Sequence, residues 1–357
     1  MVNIKDGASY APTAKVRPVV AAGEFQFAAA FLDHGHIYGQ CNGLCDAGAT
    51  LKWVFDPDPA RVEKFLQVFP GVRIATSFEE ILSDPELRLI TAAAIPNQRA
   101  GIGAQVLDAG KDYLTDKSPF TSLQQLEDIR DKVESTACKY MVYYAERLHN
   151  DAAWRAGELI EQGAIGQVIQ VLNLAPHRLA RASRPDWFFD KSCCGGILTD
   201  IGCHQVEQFL TYANCSNATV NFARVDNVAN PDKPGFEDFG EISLTGDNGT
   251  SFYTRVDWFT PEGLRTWGDG RTFILGTTGT MELRKYIDLA RDAPASRLFL
   301  VNGDSEQEID CQGMTGFPFF GKLILDCIHR TETAMTQAHA FKAAELSMRA
   351  QLIADNL

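Results

Sequence analysis

The first half of the chain alternates short apolar runs with segments of helical spacing, and this constrains the fold more than any other feature. Phe25–Leu32 reads as a buried strand, after which Ile37, Cys41, Leu44 and Cys45 recur at helical spacing until Gly48 stops the helix. Leu51–Phe55 reads as a second strand, ended by Asp56-Pro57 because proline cannot donate to a sheet ladder. Further strands are predicted at Leu89–Ile95, Tyr113–Thr115 and Tyr140–Tyr144, with helices between them at Pro59–Phe69, Arg99–Ala109 and Leu123–Ser135. Repeated βα units require crossover connections, so the expected N-terminal fold is a parallel, doubly wound α/β sheet of Rossmann type.

After Arg147 the pattern changes. A helix at Asp151–Gln162 ends at Gly163, and a strand follows at Gln167–Leu174. Extended runs at Thr219–Val228, Phe239–Leu244, Ser251–Phe259, Thr272–Gly276 and Met281–Arg284 have few helices between them. That suits a second α/β domain with a large, mostly antiparallel open sheet, one face of which can remain exposed. Helices at Phe319–Arg330 and Gln337–Asp355 close the chain and are placed to pack back on the first domain. At 357 residues two cores are expected, with domains at 1–148 (1–24 an N-terminal extension) and 149–357.

Thirty-three basic against 46 acidic residues leave a net charge of −13, which opposes nucleic acid and anionic membranes as partners. Nine cysteines in no paired metal-binding frame read as reduced, buried thiols, which points to the cytoplasm. Lys15 and Arg17 before Val19 imitate the start of a secretory signal, but Gly23, Glu24 and Gln26 interrupt the apolar run. No stretch has the length of a membrane span.

The loop after the first strand reads Asp33-His34-Gly35-His36-Ile37-Tyr38-Gly39 and lacks a regular G-x-G-x-x-G. Asp56 follows Gly35 by 21 residues and Gly23 by 33. A ribose-binding acid belongs about 20 residues after the phosphate loop, so the loop at His34, Gly35, His36 and Ile37 is the expected pyrophosphate site. His34 and His36 either add donors to the phosphates or pack within the loop, and a His-x-His metal site is set aside because no third ligand is evident. With a carboxylate at Asp56 and no cation in Pro57-Asp58, NAD(H) is expected over NADP(H).

Two further stretches carry chemistry: Asp116-Lys117-Ser118-Pro119, and Gly195-Gly196-Ile197-Leu198-Thr199-Asp200-Ile201-Gly202-Cys203-His204. If the second opens a helix, Asp200 and His204 share a face at i and i+4. Together with the nucleotide-binding βαβ pattern, these stretches resemble the Gfo/Idh/MocA oxidoreductases, the family of glucose-fructose oxidoreductase and inositol dehydrogenase. The resemblance covers nearly the whole chain. It places Lys117 where the family has the lysine of Glu-Lys-Pro, here altered to Asp-Lys-Ser-Pro, and Ala94-Ile95-Pro96-Asn97 at a Pro-Asn turn beside the nicotinamide. It implies hydride transfer between nicotinamide and a secondary hydroxyl or ketone of a sugar, polyol or glycoside. Lys117 would stabilise the alkoxide, His204 act as general base and Asp200 orient it. Substrate contacts are expected from Tyr144, Arg147, His177, Arg178, Trp187 and His204, and a homodimer or homotetramer is implied. Transient oxidation for glycoside cleavage, or dinucleotide-dependent binding without catalysis, are the alternative activities.

Overall fold

Phe27, Ala28, Ala29 and Ala30 are all buried, so β1 (Gln26–Ala30) needs cover on both faces. The computed structural model describes residues 5–14, 16–289, 291 and 294–357, and it places β1 centrally in a six-stranded sheet. Lys15, noted above, lies outside the described residues.

The first sheet is built from β1, α1 (His36–Asp46), β2 (Thr50–Phe55), α2 (Pro59–Val68), β3 (Arg73–Ile74), α3 (Phe78–Ser83), β4 (Leu87–Ala92), α4 (Arg99–Asp108), β5 (Asp112–Asp116), α5 (Leu123–Thr136) and β6 (Tyr140–Tyr143). Its order, β3-β2-β1-β4-β5-β6, is parallel throughout. The order reverses between β1 and β4, and ligands of such sheets lie outside the strand carboxyl ends at that reversal. Local chemistry sets the helix starts. Asp58 accepts from the Ala60 amide with Pro59 in the first turn, and Ser122 accepts from the Gln125 amide. β3 and α3 were not anticipated, because two and six residues are too few to display a period.

Beyond β6 the chain forms α6 (Ala145–Leu148), α7 (Asp151–Glu161), β7 (Val168–Pro176), α8 (Lys191–Cys194) and a π-turn at Leu198–Gly202 that runs into α9 (Cys203–Ala213). Strands β8 (Ala218–Asp226), β9 (Phe239–Gly246), β10 (Ser251–Asp257), β11 (Arg271–Gly276), β12 (Gly279–Arg284), β13 (Arg297–Asn302) and β14 (Glu306–Asp310) follow. With β7 they make an eight-stranded sheet, β14-β13-β12-β11-β7-β10-β9-β8, antiparallel except where β7 meets β10. Burial alternates along β11: Thr272 and Ile274 are buried while Phe273 and Leu275 are exposed. β13 and β14 were also missed in the sequence.

α10 (Pro318–His329) and α11 (Gln337–Asp355) return to the first sheet. Tyr144 Oη donates to the Ala340 carbonyl (2.8 Å), and Arg330 pairs with Asp112 (2.6 Å). Among the described residues no helix is long and apolar enough to cross a membrane, and all nine cysteines are free.

Candidate active site

β5 delivers Asp116 and Lys117 to the strand carboxyl ends. The Asp116 carboxylate is fully buried and faces His36 Nδ1 (2.9 Å), His34 Nδ1 (3.2 Å), Arg99 Nη2 (3.2 Å) and the Lys117 amide (2.8 Å). Arg99 also donates to the carbonyls of Lys117 and Ser118. The backbone is thereby pinned, and the Lys117 ammonium is directed to Asp200 Oδ1 at 2.7 Å.

Asp200 stands in the π-turn ahead of α9. The glycines preceding it serve the backbone. Gly195 and Gly196 adopt φ of +83° and +90°, and a Cβ at Gly196 would strike the Gln351 side chain on α11. They make a left-handed turn beneath α11. Asp200 and His204 line the same cavity, but Asp200 engages Lys117, while His204 faces Glu146. His204 Nδ1 is buried without a hydrogen-bond partner.

Electrostatics assign the protonation states. Burial alone would push the Lys117 ammonium down, but Asp200 and Asp116 outweigh it and hold it above the ordinary lysine value. Burial disfavours the Asp200 carboxylate, yet Lys117 draws it below its usual range. Glu146 is likewise penalised by burial and held well below its ordinary value by Lys285, whose Nζ lies 2.9 Å away. Burial dominates at His204, lowering it to about 3 against the pull of Glu146, and lowers His149 to about 3 and His34 to about 4.

These histidines couple stability to pH. Between the depressed values and 6.5 the unfolded chain binds protons that the folded chain refuses, so stability rises with pH there and is lost as pH falls. Urea unfolding at pH 7 and pH 5.5 should differ by on the order of 1 kcal/mol for each of the three. Equal stability at the two pH values would mean that the imidazoles are not held neutral.

Other expected residues are distributed differently. His34, His36 and His177 line the cavity, with His177 Nε2 3.4 Å from Glu146. Arg147 turns away into a buried pair with Glu207, Nε lying 2.8 and 2.9 Å from the two carboxylate oxygens, so it is a core ion pair rather than a substrate contact. Tyr144 is committed to α11. Arg178 is buried and holds the carbonyls of Leu264 and Thr266 together with Glu262. Trp187 packs edge-on against Phe188, and Phe188 lines the cavity instead. Asp56 is a loop fastener: its oxygens accept from the amides of Leu32 (2.6 Å) and Asp58 (2.8 Å), with its side chain fully buried. Arg61 reaches it from α2 (3.4 Å) and also pairs with Asp33 (2.6 Å), so a cation is present where none was expected. Ile37 is in the core and its amide closes the loop onto the His34 carbonyl. Pro96 opens a single 3₁₀ turn, and Asn97 Nδ2 donates to the Ser192 carbonyl.

Sequence reasoning missed Tyr10, Glu146, Trp258, Trp267 and Tyr286, all of which line the cavity. It also found no third partner for His34 and His36. Asp116 is that partner, and ligand atoms of the three lie within 4.8 Å of one another. Arg99 already compensates the carboxylate and Lys117 lies alongside, so the cluster is satisfied as an ion-pair network.

A dinucleotide suits this crevice on the chain's own terms. Asn97 Oδ1 and Ser118 Oγ, just past β4 and β5, are buried polar atoms without partners, and the N-terminus of α1 supplies a positive dipole end. A Rossmann crevice carrying a lysine–carboxylate pair and a neutral imidazole has the groups that nicotinamide-dependent hydride transfer uses. Residues 25–144 match the NAD-binding Rossmann fold of the oxidoreductase family, and residues 154–282 match the GFO/IDH/MocA C-terminal domain. The chain belongs to the Gfo/Idh/MocA family and carries its NAD-binding Rossmann fold.

A crystal structure of a candidate oxidoreductase from Erwinia carotovora atroseptica is 48% identical, covers 92% of this chain and 98% of its own, and superposes with a TM-score of 0.89. Levoglucosan dehydrogenase, solved with NADH and levoglucosan, shares the fold at 16% identity and a TM-score of 0.77, covering 93% of this chain and 97% of its own. An uncharacterised oxidoreductase of Schizosaccharomyces pombe is 30% identical over 40% of this chain and 38% of its own length. The scyllo-inositol 2-dehydrogenase (NADP(+)) of Bacillus subtilis is 22% identical over 42% of each. The chain thus spans about two fifths of the length of the curated relatives it matches.

Proposed function

We propose that the protein is an NAD(H)-dependent dehydrogenase acting on a secondary hydroxyl of a sugar or polyol. The observation that carries this reading is the Lys117–Asp200 pair sharing one cavity with neutral His204. The nicotinamide, when bound, accepts or returns the hydride. The rest falls to the chain's side chains. Lys117, kept protonated by Asp200, donates a hydrogen bond to the hydroxyl oxygen and stabilises the charge that grows on it as the C–H bond breaks. His204 offers a lone pair to the hydroxyl proton. The imidazolium so formed is stabilised by Glu146, which Lys285 keeps ionised. Arg184 and His177 supply further polar groups, and Trp258 and Trp267 offer aromatic surface of the kind that polyhydroxylated rings pack against. Sugars and inositols are also the substrates in the names of the levoglucosan and scyllo-inositol dehydrogenases.

The test is a panel of monosaccharides, inositols and anhydrosugars followed by NADH absorbance and product mass. A ketone product formed with stoichiometric NADH supports the reading. No NADH with any member would sink it.

Homo-oligomer formation is part of the same proposal. Phe273, Leu275 and Val301 are exposed on one face of the second sheet, where Leu275 and Val301 flank Thr280 across β11, β12 and β13, and an apolar patch there suits an interface. Light scattering of Phe273→Glu/Leu275→Glu should report a smaller assembly than the wild type, and an unchanged mass would exclude this face as the interface.

A further inference from the structure

The N-terminal arm lies in the crevice. Asp6 Oδ1 accepts from the Ala8 amide (3.1 Å) and starts a single 3₁₀ turn, Gly7–Ser9, while its carboxylate lies 3.7 Å from Arg184. Gly7 is pressed against the Trp267 indole, where a Cβ would come within 3.1 Å. Tyr10 donates to the His149 carbonyl (2.9 Å) and sets its ring edge-on to Trp267 and Tyr286. Gly7, Ala8 and Tyr10 thus share a cavity with His34, Lys117, Asp200 and His204.

Two consequences follow from this placement. The Ala8 carbonyl oxygen sits against Gly35, where any Cβ would collide with it. Gly35 is the N-cap of α1, so the partially negative oxygen holds the place at the helix start that suits a phosphate oxygen. The cavity left under the arm is about 30 Å³, room for one or two waters and not for a sugar. By contrast, the next residues are tied to α1: Asn42 Nδ2 donates to the Ala11 carbonyl (3.1 Å), and Asp46 accepts from the Ala14 amide (2.7 Å).

We propose that residues 6–10 are an intramolecular plug that competes with the dinucleotide for the Gly35 loop, and that cofactor binding swings this segment out on a base anchored at residues 11–14. The proposal rests on the dehydrogenase reading. The docked arm takes apparent affinity from the cofactor in proportion to the fraction of molecules in which it is seated. Its release also opens the space that a sugar needs.

The test compares NADH binding by calorimetry in the full chain, in a variant lacking residues 1–10, and in full-length Asp6→Ala/Tyr10→Ala. The last loosens the arm without removing it and serves if the truncated chain fails to fold. Both variants should bind NADH about 10-fold or more tightly than the wild type. Amide exchange of residues 6–10 in the full chain should quicken when NADH is added. Equal or weaker affinity in the variants, or slower arm exchange with NADH, would overturn the plug while leaving the dehydrogenase reading intact. No NADH binding by any of the three proteins would defeat the cofactor site, and the plug with it.

Discussion

Lys117→Ala is expected to lower turnover on the authentic substrate by about 10²- to 10⁴-fold while NADH affinity stays nearly constant. Lys117 strengthens its hold on the substrate oxygen only as charge develops there, so the loss should fall on kcat rather than KM. Removal of the ammonium also leaves Asp200 unpaired inside the protein, and that penalty must be separated from the chemical one. The double variant Lys117→Met/Asp200→Asn removes both charges and should regain stability in urea without regaining turnover. Recovery of activity along with stability would assign Lys117 a purely structural role. His204→Gln should be slow as well, and should combine with Lys117→Ala less than additively because both act on one hydroxyl. Since burial lowers His204 to about 3, its acid limb in the oxidation profile lies far below the 6.5 of an ordinary imidazole. A limb near 6.5 would show that His204 is solvated in the working enzyme.

Arg147→Ala is expected to destabilise the fold by about 3–5 kcal/mol, the usual result of stranding a buried charge. Glu207 has no exposed side-chain surface and is held below its ordinary value, to about 2, because Arg147 and His339 overcome the cost of burial. With the guanidinium gone, His339 at 3.3 Å and the Thr211 hydroxyl, which donates at 3.2 Å, are left to compensate it. Urea unfolding should record the loss, and Arg147→Met/Glu207→Leu should recover most of it. Cofactor affinity in the folded fraction should be unaffected. A stable Arg147→Ala protein with a raised KM would instead restore Arg147 to the substrate pocket.

The positions at issue show why some of the site was legible and some was not. Lys117 and Asp200 could be singled out because each stands in a short, chemically unusual stretch beside an element boundary, and strand ends of a parallel sheet are where ligands sit. Asp56 and Arg147 stood at equally suggestive places, and in the fold both meet structural partners. Their roles were set by partners distant in sequence, Leu32 for one and Glu207 for the other. Glu146 and Tyr10 gave no local signal, because a single carboxylate after a strand and a single tyrosine in an extension look alike in any chain.

The sequence by itself determined the alternation that makes the parallel sheet, the run of strands that makes the second sheet, and the lysine, aspartate and histidine that line one cavity. Those features are periodic or local, and hydrophobic burial acts on period directly. Only the tertiary structure decided which of the remaining polar groups face the cavity and which are spent inside the protein. It also decided that the N-terminal arm fills the crevice. Each of those outcomes depends on a charge or a carbonyl brought close by folding, and the desolvation of buried polar groups makes such meetings decisive without leaving a trace in sequence spacing.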